Sequence, residues 1–227
     1  MLLAGCANLQ PAEPTVPDNH VDATTQASDS RWHFVRFRFH RNAQGDVDSY
    51  LDVMIADQVV AALIDDFSGQ LNVWRFHRRW PEDDTGHQFS FMFMAPTDVA
   101  GRLIARIRAH GLLQQLRDQG YLADFRVDRP SGPDAMDIAA SSDRSWPEDI
   151  QREWPHFIMG ASRMWLGLAT AAASRHPDSE LHQRYVLAEQ ALDKLWLDKG
   201  NHALLHHLSA LFGYKPVRVI RRDIMRF

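Results

Sequence analysis

Between Trp32 and Asp128 the chain changes its hydrophobic period again and again, and this limits the possible folds more than any other feature of it. Along Trp32–His40, Val35, Phe37 and Phe39 share one face while Arg36, Arg38 and His40 share the other, the period of a half-buried strand. The period then lengthens. Leu51, Ile55, Val59, Leu63 and Phe67, with Met54 and Ala62 beside them, predict a helix from about Ser49 to Phe67 that Ser68-Gly69 ends. Two strands follow: Asn72–Arg79, with Trp74 and Phe76 on one face, and Gln88–Met94, with Phe89, Phe91 and Phe93 on one face, joined by a turn over Pro81–Gly86. A second helix is predicted over Asp98–Gln119, with Thr97 as its N-cap, an inner stripe of Val99, Leu103, Ile104, Ile107, Leu113 and Leu116, and Gly120 as its close. Ala123–Asp128 returns to the strand period, with Phe125 and Val127 inward.

This order of elements predicts an α+β protein: a ferredoxin-like βαββαβ unit over residues 31–128, with helices on one face of a mostly antiparallel sheet. A mostly helical region, 129–227, is expected to pack on it. Arg129–Arg144 reads as a surface connection. Ser145-Trp146-Pro147-Glu148 resembles a capping box, with Ser145 as N-cap of a helix that Pro155 interrupts. Phe157–Ala173 and Ser179–Leu197 continue the helical pattern, and Asn201 caps a shorter helix ending at Gly213. Val217–Phe227 adds a strand or trails along the surface. With 45% hydrophobic and 24% charged residues the chain can bury a sizeable core. Its net charge of −4 argues against a general polyanion binder, so no nucleic-acid partner is expected. No uncharged apolar run reaches the roughly 20 residues that cross a bilayer.

The single cysteine directs the reading of location. It excludes an internal disulfide and a thiolate metal cluster. Leu3-Ala4-Gly5-Cys6 resembles the lipobox of bacterial lipoproteins, whose signal peptidase cuts before a cysteine that carries a diacylglyceryl group. The resemblance implies that residues 1–5 are a signal-peptide remnant and that Cys6 bears acyl chains such as palmitate, anchoring the protein in a membrane. Only Met1–Gly5 precede the cysteine, whereas the family's signal peptide has a basic and an apolar region, so a start assigned too late is expected. Ala7 follows the cysteine where the family uses aspartate for inner-membrane retention, which implies the outer membrane, periplasmic side. Residues 6–30, with Pro11, Pro14 and Pro17 and little apolar periodicity, are expected to form a lipidated, disordered tether reaching roughly 25–30 Å.

Four constellations could carry chemistry. The outer sheet face gathers Arg36, Arg38, Arg75, His77, Ser90 and Arg126, a basic strip suited to an anionic ligand, unless Asp124 and Asp128 neutralise it or the C-terminal helices cover it. His202 and His206 stand four apart on a predicted helix beside His207, a metal-ligand spacing. They lack an intervening Glu, a cysteine partner and a third ligand, so a solvated or helix-C-terminal role is expected and no metal or other cofactor is assigned. His77 and His87 flank the hairpin turn with Glu82, Asp83 and Asp84, the nearest approach to an acid/base cluster. Trp146, Trp154 and Trp165 with Phe157 and Met164 form an aromatic group of core or pocket type. Nucleotide-binding glycine loops, a Gly-x-Ser-x-Gly elbow and a Cys/His nucleophile pair are all missing. The expectation is therefore a non-catalytic interaction module that meets an envelope protein or itself; the alternative is a small anionic-ligand binder or hydrolase using the basic sheet face.

Overall fold

The computed structural model describes residues 29–79, 82 and 86–216; Cys6, the tether up to Ser28, most of the turn that includes Pro81, Asp83 and Asp84, and Val217–Phe227 lie outside them. Four strands form one sheet: β1 (Ser30–Phe39), β2 (Val73–Arg78), β3 (Phe89–Pro96) and β4 (Leu122–Asp128). Their spatial order is β2-β3-β1-β4 and every neighbouring pair is antiparallel. The register carries the alternation read from the sequence across the whole sheet. Val35 lies opposite both Phe91 and Val127, and Phe76 opposite Phe91, so the apolar set of each strand falls on one side.

That inner side is an aromatic floor, with Phe37, Phe89, Phe91 and Phe93 fully buried. Helices cover it. The first is continuous but mixed, running as α1 (Tyr50–Ile55), a π-helical turn (Ala56–Ala61) and α2 (Ala62–Asp66). Its predicted stripe of Leu51, Met54, Ile55, Val59, Leu63 and Phe67 is buried, while Ala62 is exposed.

The predicted single helix over Asp98–Gln119 is two helices, α3 (Thr97–Arg108) and α4 (Gly111–Asp118). The reason lies in the phase of the apolar residues. Continued from Ile107 at about 100° per residue, an unbroken helix would carry Leu116 roughly half a turn away from the core. The extended His110, whose ring Nδ1 accepts from the Leu112 amide at 3.3 Å, breaks the helix, and both Leu113 and Leu116 end up buried. Thr97 is not the cap; Pro96 holds that position and Thr97 is the first helical residue.

Two expectations for the next helix also change. α5 (Glu148–Ala173) starts after Pro147, so Ser145 does not cap it; the Ser145 amide bonds Asp143 Oδ1 at 2.8 Å instead. Nor does Pro155 interrupt it. Proline has no amide hydrogen for the carbonyl four residues back. That carbonyl, on Gln151, accepts from the Ser142 hydroxyl at 2.7 Å, so the helix passes through the proline with its orphaned acceptor satisfied. α5 runs along the edge strand β2, whose Phe76 amide donates to Ser162 Oγ at 3.1 Å, closing an otherwise open sheet edge.

α6 (Leu181–Gly200) is capped by Glu180, which accepts from the Gln183 amide at 3.2 Å, and packs on α1 and α5. It continues without a break through a π-helical turn (Asn201–His206) into α7 (His207–Leu211), so Asn201 does not cap a separate helix. Tyr185, Ala188 and Leu192 of α6 and Ala169 and Ala172 of α5 join the same buried cluster as Val35 and Phe37. The connection over residues 129–144 is more than surface chain. Its 3-10 turns, Pro133–Met136 and Ile138–Ser141, cap one end of the sheet's outer face, where Trp32, Val73 and Met94 form a second small core. The Trp32 indole nitrogen donates to the Asp137 carbonyl at 2.9 Å.

Candidate functional site

The register brings four of the expected outer-face residues into one row: Arg126, Arg36, Ser90 and His77 lie side by side across β4, β1, β3 and β2. Arg36 is paired with Asp128 at 2.6 Å and Arg126 with Asp124 at 2.6 Å. Arg75, in the next row, is half-buried and donates to the Ser141 carbonyl at 3.0 Å; burial lowers its pKa from the usual arginine value. Arg38 stands exposed opposite Asp124, and His77 is exposed near the edge. The strip is thus interleaved with carboxylates, and half-exposed ion pairs of this kind contribute little to stability.

A different set of charges converges on the inner side. His87, named from the sequence beside Glu82, Asp83 and Asp84, finds its acidic partner on α1. Its Nε2 lies 3.0 Å from Asp52 Oδ1 and its Nδ1 2.6 Å from the Arg79 carbonyl. A carbonyl on one ring nitrogen and a carboxylate on the other are both satisfied only when both nitrogens carry protons. Burial opposes that charge, but the hydrogen bond and charge of Asp52 outweigh it and raise the His87 pKa above 6.5. Arg78 completes the network: its Nε donates to Asp52 Oδ2 at 2.8 Å, and its Nη2 donates to Glu189 at 2.5 Å and to the Ser49 carbonyl at 3.1 Å. Burial also raises the Glu189 carboxyl, with Arg78 opposing. Asp52 is fully buried and the His87 side chain 6% exposed, while Arg78 reaches solvent at 29%, so two acids face two bases at a site that is dry around Asp52 and open at Arg78. Neither nitrogen of His87 is left to accept a proton from a substrate. The network ties α1, β2 and α6 together rather than doing acid/base chemistry. The sequence signal that could have located it is Asp52 itself, a carboxylate on the buried face of an apolar helix.

A second clasp was not legible in the sequence. Asp57, on the π-helical turn, accepts from Tyr185 Oη on α6 and Thr170 Oγ1 on α5, both at 2.5 Å. The widened turn places one carboxylate where both helices reach it.

Where the middle of α5 faces the end of α6 and the helical turns that follow it, the surface differs from the rest of the molecule. Phe157, Ala161 and Met164 of α5 face Trp196, Leu204, Leu205 and Leu208 across an apolar groove of about 430 Å³. Beyond the groove, Leu197 and Leu211 are each 82% exposed and Phe212 69%. Gly200 is needed here, because a Cβ on it would lie 2.8 Å from the Trp196 ring. The aromatic group named from the sequence divides. Trp165 belongs to the core, its ring 5.5 Å from that of Phe76, whereas Trp146, Trp154 and Phe157 form a chain of rings leading toward the groove. His202 and His206 stack at 5.0 Å and His206 meets Tyr214. No group of three or more His, Cys, Asp or Glu that could hold a metal occurs among the described residues, and no helix among them is long and apolar enough to cross a membrane. No protein-family model, curated protein or solved structure matches this chain.

Proposed function

We propose that this chain is a lipid-anchored module of the bacterial envelope, held through Cys6 at the periplasmic side of the outer membrane, that acts by non-catalytic interaction through the apolar surface formed by the middle of α5, the end of α6 and α7. The observation that carries this reading is the cluster of exposed large side chains there: Phe157, Met164, Trp196, Leu197, Leu205, Leu211 and Phe212. Soluble monomers rarely leave such residues contiguous and uncovered unless they serve a contact. The anchor reading is supported by Leu3-Ala4-Gly5-Cys6 and the proline-bearing stretch behind it. A ferredoxin-like assignment for residues 31–128 is supported by the βαββαβ element order together with β1 and β3 at the centre of an antiparallel sheet. Such a fold by itself confers no activity.

The test is metabolic labelling with a palmitate analogue in wild type and Cys6→Ser, followed by membrane fractionation and crosslinking. Label and membrane association that disappear in Cys6→Ser support the anchor. An unlabelled wild-type chain refutes it. A second reading, an anionic-ligand site on the outer sheet face, is favoured by the row of Arg126, Arg36, Ser90 and His77. It requires that phosphate or a carboxylate ligand perturb those residues in an NMR titration.

A further inference from the structure

We propose that the crevice between α5 and the first helix, over Trp74 of the edge strand β2, is a binding site for a small organic carboxylate with an apolar body. Two cavities of about 260 and 420 Å³ adjoin there, sharing Ile64, Trp74 and Arg163 as walls. The site lies on a neighbouring face of α5 from the apolar groove, with Gly160 bordering both, and it depends neither on that interaction surface nor on a lipid at Cys6.

The crevice collects donors that have found no acceptor. Trp74 is 5% exposed, and its indole N–H has no hydrogen-bond partner among the described residues, although it is not sealed from solvent. An indole N–H on a ring this deeply set ordinarily meets an acceptor. Arg163 makes no ion pair or hydrogen bond among the described residues, whereas Arg36, Arg75, Arg78 and Arg126 around the sheet have each found a carboxylate or a carbonyl. His156, about two turns earlier on α5, lines the first cavity and is equally unengaged.

The chemistry of the walls narrows the ligand. A planar guanidinium takes a carboxylate through two parallel N–H bonds, and the indole N–H beside it can supply a third. Asp57 and Asp65 line the second cavity with Arg163. A doubly charged phosphate is repelled by that pair of acids, while a single carboxylate charge is matched by the one guanidinium. Ile64, Leu71, Met159 and the Trp74 ring wall the first cavity, so the rest of the ligand is apolar. The space is kept open along α5: Gly160 lines the first cavity and Gly167 the second, and a Cβ on either would meet nothing within 4 Å. Glycine inside a helix is unfavourable, and here it leaves the wall bare.

The test is an NMR titration of the isotope-labelled full chain carrying Cys6→Ser, following the Trp74 indole signal, which Trp74→Phe identifies. Phenylacetate, hexanoate, phenyl phosphate and phenethyl alcohol are the probes. At least one of the two carboxylates should shift the signal to saturation in the millimolar range, about tenfold tighter than the uncharged alcohol and tighter than the phosphate. Arg163→Gln should weaken that binding about tenfold. Gly160→Leu should abolish it by filling the first cavity while circular dichroism stays unchanged, and Arg108→Gln, an exposed charge elsewhere, should leave it as in the parent chain. No saturable shift with either carboxylate, or one that Arg163→Gln does not weaken, overturns the inference. Tighter binding of phenyl phosphate overturns the assignment to a carboxylate, and binding lost in Arg36→Gln but kept in Arg163→Gln would move the anion site to the outer sheet face.

Discussion

The sheet and the tip of the helical pair use the same kinds of side chain to opposite ends. On the sheet, Phe37, Phe89, Phe91 and Phe93 disappear completely beneath the helices, Trp165 of α5 among their cover, and the charges admitted beside them are paired within the Asp52, His87, Arg78 and Glu189 network. At the tip, Trp196, Leu197, Leu205, Leu211 and Phe212 face outward. Burial thus follows from which elements the chain brings over a residue, not from its apolar character. An apolar set left uncovered among the described residues, in a molecule that closes its core so completely elsewhere, is what the proposed interaction surface rests on.

Substitutions should divide along the same line. The largest effect is expected at the charge network: Asp52→Ala removes the carboxylate that faces protonated His87 and the Nε of Arg78, leaving the buried imidazolium without its counter-charge, and should lower unfolding free energy by about 3–5 kcal/mol in urea titration. Asp128→Ala, which breaks the half-exposed pair with Arg36, should cost no more than about 1 kcal/mol. Phe91→Ala, in the aromatic floor, is expected to cost about 3–5 kcal/mol, against within about 0.5 kcal/mol for Leu211→Ala at the tip. Equal costs at Phe91 and Leu211 would remove the contrast between the two regions. Ser142→Ala should cost about 1 kcal/mol by leaving the Gln151 carbonyl unpaired beside Pro155.

A further contrast is expected in pH dependence, where two histidines with buried rings, His33 on β1 and His87 just before β3, act in opposite senses. Burial, then the Arg129 charge, pushes His33 down to about 4, with its ring stacked on Phe93. The unfolded chain binds this proton first, so the His33 contribution is complete above pH 6.5 and is lost as pH falls from 6.5 toward 4. His87 is raised, so its contribution is complete below pH 6.5 and is lost as pH rises through its folded value. His33→Phe should flatten the acid side of the stability profile and His87→Gln the alkaline side. The reverse assignment would show that the charge states are wrong.

Much of the sheet was legible because alternation over Val35, Phe37 and Phe39 or Phe89, Phe91 and Phe93 is a local signal that the register only repeats. The helix breaks were less so. Whether Pro155 stops a helix depends on Ser142 supplying a donor from outside it, and the split at His110 depends on where the core lies relative to Ile107 and Leu116. The charge network joins Asp52, Arg78, His87 and Glu189 across α1, β2 and α6, so the only trace of it along the chain was Asp52 among the apolar residues of its helix; the hairpin acids beside His87 were the nearest candidates only in sequence. The outer-face arginines were placed on the right face by the same alternation. Their neutralisation by Asp124 and Asp128 follows from strand pairing, and the contact of Arg75 with Ser141 from a loop folding back. The tip was read as helix, but whether its apolar residues would be covered could be decided only by what packs against them.

Site-specific photocrosslinking in the intact envelope tests the central claim most directly, with a photoreactive amino acid placed at Leu205 in the tip or at Arg38 on the sheet's outer face. Strong adducts from Leu205, to lipid or to protein, with only background from Arg38, are the predicted result. Adducts from Arg38 with none from Leu205 would put the working surface on the sheet and contradict the account.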